Sequence, residues 1–285
     1  MNKIAFTAIF TLVMLGISLI NSVIIMQDDR YSIIMCDVGQ GDSILIQFKD
    51  TQMLIDGGPS SDVLDCLSSF MPFWDTTIDI IVLTHPQSDH FGGLLSVFDS
   101  YNVSRLLATE VENSSDAYQE FKKKVIEEGS DIIIARENMT LSIADAHVTV
   151  INPDIPVVSG QLGDLETRCD LNEFSITLLF DYKDFEMLLT GDIGPDVITD
   201  LADDGQLTDI DVLKVPHHGS KNGLTYMLLD YTRPEYALIG VGKDNRFGHP
   251  HKVILDLLSE FNVDVYRTDE LGNIVFKTDG ITISK

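Results

Sequence analysis

Six of the seven histidines fall in three close pairs: His85 with His90, His217 with His218, and His249 with His251. Each pair follows an apolar, strand-like run (residues 78–83, 212–215 and 236–239), which puts the imidazoles on loops at strand ends, where a rigid scaffold presents reactive groups. Within Thr84-His85-Pro86-Gln87-Ser88-Asp89-His90, two imidazoles and a carboxylate can turn toward one point, and Gly92-Gly93 lets the following helix come close. Imidazole with carboxylate suits zinc, manganese or iron, and an ion so held lowers the pKa of a coordinated water toward about 7, which is hydrolase chemistry. A further acid, Asp192, ends another apolar run in Leu188-Leu189-Thr190-Gly191-Asp192. Its two oxygens can bridge two ions ~3.5–4 Å apart. Pro216-His217-His218-Gly219-Ser220 offers ligands from a third strand end, whereas His147, alone between Ala146 and Val148, reads as structural. Any one of these loops reads equally well as a polar connection. Three of them, each on a strand end, favour a metal.

Such loops need strands to hold them. Strands are expected at 31–36, 43–48, 52–55, 78–83, 132–135, 148–151, 175–181, 185–189, 212–215, 236–239, 263–266 and 273–277, and helices at 62–70, 91–98, 115–128, 224–229 and 252–260. Residues 152–172, with Pro153, Pro156, Gly160 and Gly163, read as an irregular loop. Strands mixed with helices, with a helix-sized segment after most of the later strands, point to one layered α/β sandwich over residues 31–285.

Residues 1–30 are a separate unit. After Lys3, residues 4–26 carry no charge, and as a helix they span roughly 34 Å, enough for a bilayer core. An uncleaved membrane anchor is expected, because the run exceeds a signal-peptide core and no small-residue cleavage pattern follows it; a cleaved segment would make the protein secreted. Lys3 and the amino terminus favour a cytoplasmic N-terminus and an extracellular globular part. Against 19 basic residues stand 45 acidic ones, a formal charge of −26. That field repels nucleic acid and anionic lipid at long range, so a polyanion must be held by local cations or metal. Cys36, Cys66 and Cys169 show no Cys-x-x-Cys spacing, which argues against a zinc ribbon or a disulfide scaffold, and buried, unpaired thiols are expected.

Six ordered motifs carry a family resemblance. They are Asp37-Val38-Gly39-Gln40-Gly41-Asp42-Ser43, Leu54-Ile55-Asp56-Gly57-Gly58, the stretch from Thr84 to Gly93, Leu189-Thr190-Gly191-Asp192, Val215-Pro216-His217-His218-Gly219-Ser220 and Phe247-Gly248-His249-Pro250. Together they resemble the metallo-β-lactamase fold and, more closely, the hydrolase domain of ComEC-type DNA-uptake proteins. Over residues 31–285 the resemblance implies an α/β, four-layer αββα sandwich, here preceded by one transmembrane helix. It also implies a metal-dependent hydrolase with one or two divalent ions, zinc or manganese, acting on a phosphodiester, nucleic acid among the candidates.

Carried across residue by residue, His85 would serve the first ion, Asp89 and His90 the second, and Asp192 both. One of His217 and His218 would complete the second site, leaving its neighbour to polarise the substrate or protonate the leaving oxygen. Asp56 would orient the histidine loop from behind. Asp37, Gln40 and Asp42 would line the cleft, with His249 reaching it from the far rim. Catalysis would fall to Asp89, His217, His218 and His249. Two departures stand out. Gln87 occupies the place of the fold's second histidine, and an amide is a poor ligand for a transition metal. Between Val150 and Asp192 there is no histidine, which leaves Cys169, Asp170 or Asn172 as stand-ins. One firm ion at Asp89, His90, Asp192 and one of the paired histidines is therefore expected, with the other ion loading alongside substrate. With a single candidate span, no channel role is expected, and no protein partner is read. Competing readings are a degenerate binding module and a hydrolase of some other ester. The retained Asp89, His90, Asp192, His217 and His218 argue against the degenerate one, because unpaired polar groups gathered at one point are costly without a ligand.

Overall fold

A computed structural model describes residues 3–154 and 160–285. Helix α1 (Lys3–Gln27) covers the expected anchor segment, and Phe6, Phe10, Leu12, Leu15 and Ile17 on it are exposed. Residues 1 and 2 and several α1 side chains lie outside the described set, and among the described residues no helix is long and apolar enough to cross a membrane.

Strands β1 (Tyr31–Met35), β2 (Ile44–Phe48) and β3 (Thr51–Ile55) form an antiparallel meander. Then come α2 (Asp62–Phe70), β4 (Thr77–Val82), α3 (Ser88–Phe91), α4 (Leu94–Ser100), β5 (Asn102–Ala108), α5 (Asp116–Glu128) and β6 (Asp131–Ile134), with β3 to β6 paired in parallel. The second sheet contains β7 (Thr140–Ile143), β8 (Ala146–Asn152), β9 (Thr177–Tyr182), β10 (Phe185–Leu189), β11 (Val212–Lys214), β12 (Tyr236–Ile239) and β13 (Asp264–Arg267). Helices α6 (Pro195–Asp203), α7 (Tyr226–Thr232) and α8 (Lys252–Glu260) alternate with its later strands. After α9 (Thr268–Leu271), β14 (Ile274–Thr278) and β15 (Ile283–Ser284) return to the first sheet. Strand order is β15-β14-β1-β2-β3-β4-β5-β6 in one sheet and β13-β12-β11-β10-β9-β8-β7 in the other.

Side-chain alternation builds the layers. Tyr31, Ile33 and Met35 point between the sheets toward Val150, Leu178 and Phe180. Ile34, Leu45 and Leu54 point outward onto Val63, Leu94 and Phe121 of α2, α4 and α5. On the other side Leu188, Leu213 and Ala237 meet Ile198, Leu228 and Ile254 of α6, α7 and α8. Strands buried on both faces read as continuous apolar runs, which is why most were legible. The result is a four-layer αββα sandwich.

Three local expectations need correction. The helix expected at 91–98 divides into α3 and α4, because the chain at Gly92-Gly93 is pressed against the loop that follows β3. Strand β5, with Ser104 and Arg105 mid-strand, and helix α6 were not read at all. Cys36 and Cys66 form a disulfide with Cα atoms 5.8 Å apart, and Cys169 is exposed, so none of the three is a buried free thiol. Cys36 follows β1 and Cys66 lies on the inner face of α2, a juxtaposition that only the packing of α2 on the sheet creates.

Candidate metal centre

Parallel pairing of β3 with β4, and of β10 with β11 and β12, brings the carboxyl ends of these strands to one edge of the sandwich, the usual ligand-binding edge of such sheets. Asp56 follows β3, His85 follows β4, Asp192 follows β10, and His217 and His218 follow β11. Backbone bonds clasp the histidine loop onto the turn after β3: Gly57 N donates to His90 O at 2.7 Å, and Gly93 N donates to Gly58 O at 2.8 Å. A Cβ on residue 93 would overlap the carbonyls of Gly57 and Ser60, so this approach requires glycine. His217 and His218 hold left-handed backbone at φ 52° and 53°, strain on the order of 1–3 kcal/mol each that the surrounding contacts must offset.

The two central histidines are aimed by their Nδ1 atoms. Asp56, fully buried, accepts from Thr84 N at 2.8 Å and Thr84 Oγ1 at 2.7 Å, and its Oδ2 lies 2.7 Å from His90 Nδ1. His218 Nδ1 lies 2.9 Å from Gly240 O. With Nδ1 bonded in both rings, Nε2 is the nitrogen left to bind an ion once its proton is displaced. Both Nε2 atoms are 3.4 Å from Asp192 Oδ2, and His218 Nε2 is 3.6 Å from Asp89 Oδ2. Both are buried and have no hydrogen-bond partner, a costly state for a protein interior. A tetrahedral ion with ligands at about 2.0–2.2 Å spaces them about 3.3–3.6 Å apart. His90, Asp192 and His218 fit such an ion.

Asp42 is a fourth carboxylate near this point, with a ligand atom within 4.8 Å of those of His90, Asp192 and His218. Instead of lining the cleft as expected, it is buried and ion-paired with Lys214 on β11. Asp89 is partly open, with a side-chain exposure of 29%. Lys214 was missed in the sequence; its only signal was a charge inside the apolar run Val212-Leu213-Lys214-Val215.

Burial favours neutral forms throughout, so the charge state is set by what overcomes it. Around Asp192, the His218, His90 and Lys214 cations outweigh burial and hold its carboxyl well below the usual range. Burial opposes a charged His90, yet Asp192 and Asp56 push the ring up to about 10. His218 is likewise raised against burial by Asp192 and Asp42. Burial also opposes the Asp89 carboxylate, but the His218 contact brings it down to about 2. His85 goes the other way, and burial takes it down to about 3, a neutral ring. Its Nε2 lacks a partner, while Nδ1 lies 3.0 Å from Thr84 Oγ1 and 3.3 Å from Ser175 Oγ.

On the His85 side, Gln87 Nε2 donates to Asn172 Oδ1 at 2.7 Å, and Asn172 Nδ2 is 3.5 Å from His217 Nδ1. His217, with 28% side-chain exposure, keeps its Nε2 4.0 Å from Asp192 Oδ2. Of the paired histidines, His218 is thus the one buried in the donor cluster, and His217 faces outward. A cleft of about 770 Å³ opens over the cluster, lined by Gln40, Asp89, His217, Arg246, Phe247 and His249 among others. Burial takes His249 down to about 4, and its ring stacks on Phe247 with centroids 5.6 Å apart. Asp37, expected at the cleft, is exposed and does not line it; its carboxylate accepts from Gly39 N at 3.3 Å.

Known proteins are similar to this chain in sequence and in fold. The chain is 28% identical over 261 residues to ComE operon protein 3 of Bacillus subtilis, covering 85% of this chain and 32% of that one. It is 27% identical over 243 residues to Recombination protein 2 of Haemophilus influenzae, covering 84% of this chain and 28% of that one. Both are competence proteins of the ComEC type, and the chain spans about a third of their length. In fold it is similar to the metallo-beta-lactamase fold protein YhfI from Bacillus subtilis, with a TM-score of 0.58 at 13% identity, covering 87% of this chain and 100% of that one. The metallo-beta-lactamase superfamily model matches residues 36–243, a stretch that begins just before Asp37 and takes in every donor of the cluster. By that match, and by the sandwich that carries it, the chain belongs to the metallo-beta-lactamase superfamily.

Proposed function

We propose that the chain is a membrane-anchored, metal-dependent hydrolase of phosphodiesters, nucleic acid among them, with its catalytic domain outside the cytoplasm. The observation that carries this reading is the pair of buried, unpartnered Nε2 atoms of His90 and His218, each 3.4 Å from Asp192 Oδ2. Asp89, His90, Asp192 and His218 would hold the ion. When bound, a divalent ion of this kind lowers the pKa of water and offsets charge on phosphoryl oxygens.

The chain's own residues do the rest. Asp56 fixes the His90 ring and Gly240 fixes the His218 ring, so both ligands are oriented before an ion arrives. His217 lines the cleft and would donate to a phosphoryl oxygen or to the leaving oxygen. Arg246, the one Lys or Arg among the residues lining the cleft, would pair with a phosphate there, the local cation that a chain of charge −26 requires. The uncharged residues 4–26 and the exposed apolar side chains of α1 support the anchor. The Cys36–Cys66 disulfide supports an oxidising, external compartment.

The test is hydrolysis of bis-p-nitrophenyl phosphate and of labelled single-stranded DNA by the full chain, with manganese or zinc added and with chelator. Cleavage that needs metal and is abolished in a folded Asp192→Asn variant is expected. No cleavage under any metal loading would overturn the hydrolase reading in favour of a binding module.

A further inference from the structure

We propose that the buried ammonium of Lys214 takes the place of a second cation beside Asp192, so that the centre holds one divalent ion per chain. The inference rests on the metal-centre reading and narrows it.

Lys214 is 1% exposed, a rare state for lysine that requires partners. Its three N–H donors have three acceptors: the Asp42 carboxylate, Gly191 O at 2.8 Å and Asp192 Oδ1 at 3.4 Å. Asp192 is thereby divided. Oδ1 faces the ammonium, and Oδ2 faces the Nε2 atoms of His90 and His218. A carboxylate that bridges two ions has a cation on each side. Here one of those cations is built into β11. A second dication against Asp192 would stand beside the ammonium, and Lys214, Asp42 and Asp192 are all buried, where like charges are less screened than in water.

The donors that a second ion would use are weak. His85 offers its Nε2, but the amides of Gln87 and Asn172 are bonded to each other at 2.7 Å.

The experiment uses the full chain, stripped with chelator and re-equilibrated with excess manganese. Bound manganese per chain is measured by elemental analysis, and its electron paramagnetic resonance spectrum is recorded. One ion with an uncoupled signal is expected. Gln87→His adds an imidazole on the His85 side and is expected to stay at one ion, whereas Gln87→His combined with Lys214→Gln should bind two and give a spin-coupled signal. Two ions in the natural sequence or in Gln87→His alone would overturn the inference, as would a folded double variant that stays at one. If the double variant does not fold, the natural sequence and Gln87→His decide. No ion in the natural sequence would overturn the metal-centre reading itself.

Discussion

Replacing Asp56 by Asn should weaken metal binding without unfolding the domain. The Asp56 carboxylate makes three contacts: Oδ1 with Thr84 N at 2.8 Å, and Oδ2 with Thr84 Oγ1 and His90 Nδ1, both at 2.7 Å. Asn has the same shape, tolerates the left-handed backbone at φ 58°, and can still accept from Thr84 N. Its NH₂ group, however, would now face His90 Nδ1. In the singly protonated ring that binds metal, that nitrogen would have to accept, which puts the remaining proton on Nε2, the atom aimed at Asp192. Loss of an orienting partner of this kind costs about 10–100-fold in metal affinity, equivalent to about 1.4–2.7 kcal/mol. The cost to folding should be smaller, about 1–2 kcal/mol, because one charge-assisted bond is lost while the desolvation of a fully buried carboxylate is relieved. A competition titration against a metal-sensitive indicator measures the affinity, and circular dichroism verifies the fold. A folded variant that binds metal within twofold of the natural sequence would refute the claim that Asp56 sets the His90 tautomer.

Metal affinity should rise with pH. The ion-free His90 ring, held at about 10 by Asp192 and Asp56 against burial, is protonated at neutral pH, so an ion must displace that proton. The expected gain is about tenfold per pH unit for each proton displaced, checked by calorimetric titration in buffers of different ionisation heat; an affinity flat from pH 6 to 8 would contradict it. Reducing the Cys36–Cys66 bond, which links residues 30 apart in sequence, should lower unfolding stability by roughly 3–4 kcal/mol on the chain-entropy account. Equal denaturation midpoints with and without reductant would count against that. Gly93→Ala should cost about 1–3 kcal/mol or more, since its methyl would strike the backbone carbonyls of Gly57 and Ser60 and push the histidine loop away. Denaturant titration would expose the error if stability were unchanged.

Much of the site was legible because its residues lie next to the apolar runs that position them. His85, Asp192 and the His217-His218 pair fall just past strand ends, Asp89 and His90 on the short helix α3 soon after β4, and strands buried on both faces announce themselves. What was not legible depends on contacts between distant segments. Asp42 follows β1 and Lys214 ends β11, and only the stacking of the two sheets joins them. Adjacent histidines could not be told apart by spacing; the left-handed turn at both decides that His218 points inward to Gly240 and Asp192 while His217 faces the cleft. Asp37 belonged to a motif yet faces away from the cleft, because the turn through Gly39 directs its carboxylate back to its own backbone.

The most direct test of the account is anomalous diffraction at the zinc edge from crystals equilibrated with zinc. It predicts one peak enclosed by Asp89 Oδ2, His90 Nε2, Asp192 Oδ2 and His218 Nε2, at about 2.0–2.2 Å from each. No peak among these four atoms, or a peak bound elsewhere while they stay empty, would contradict it.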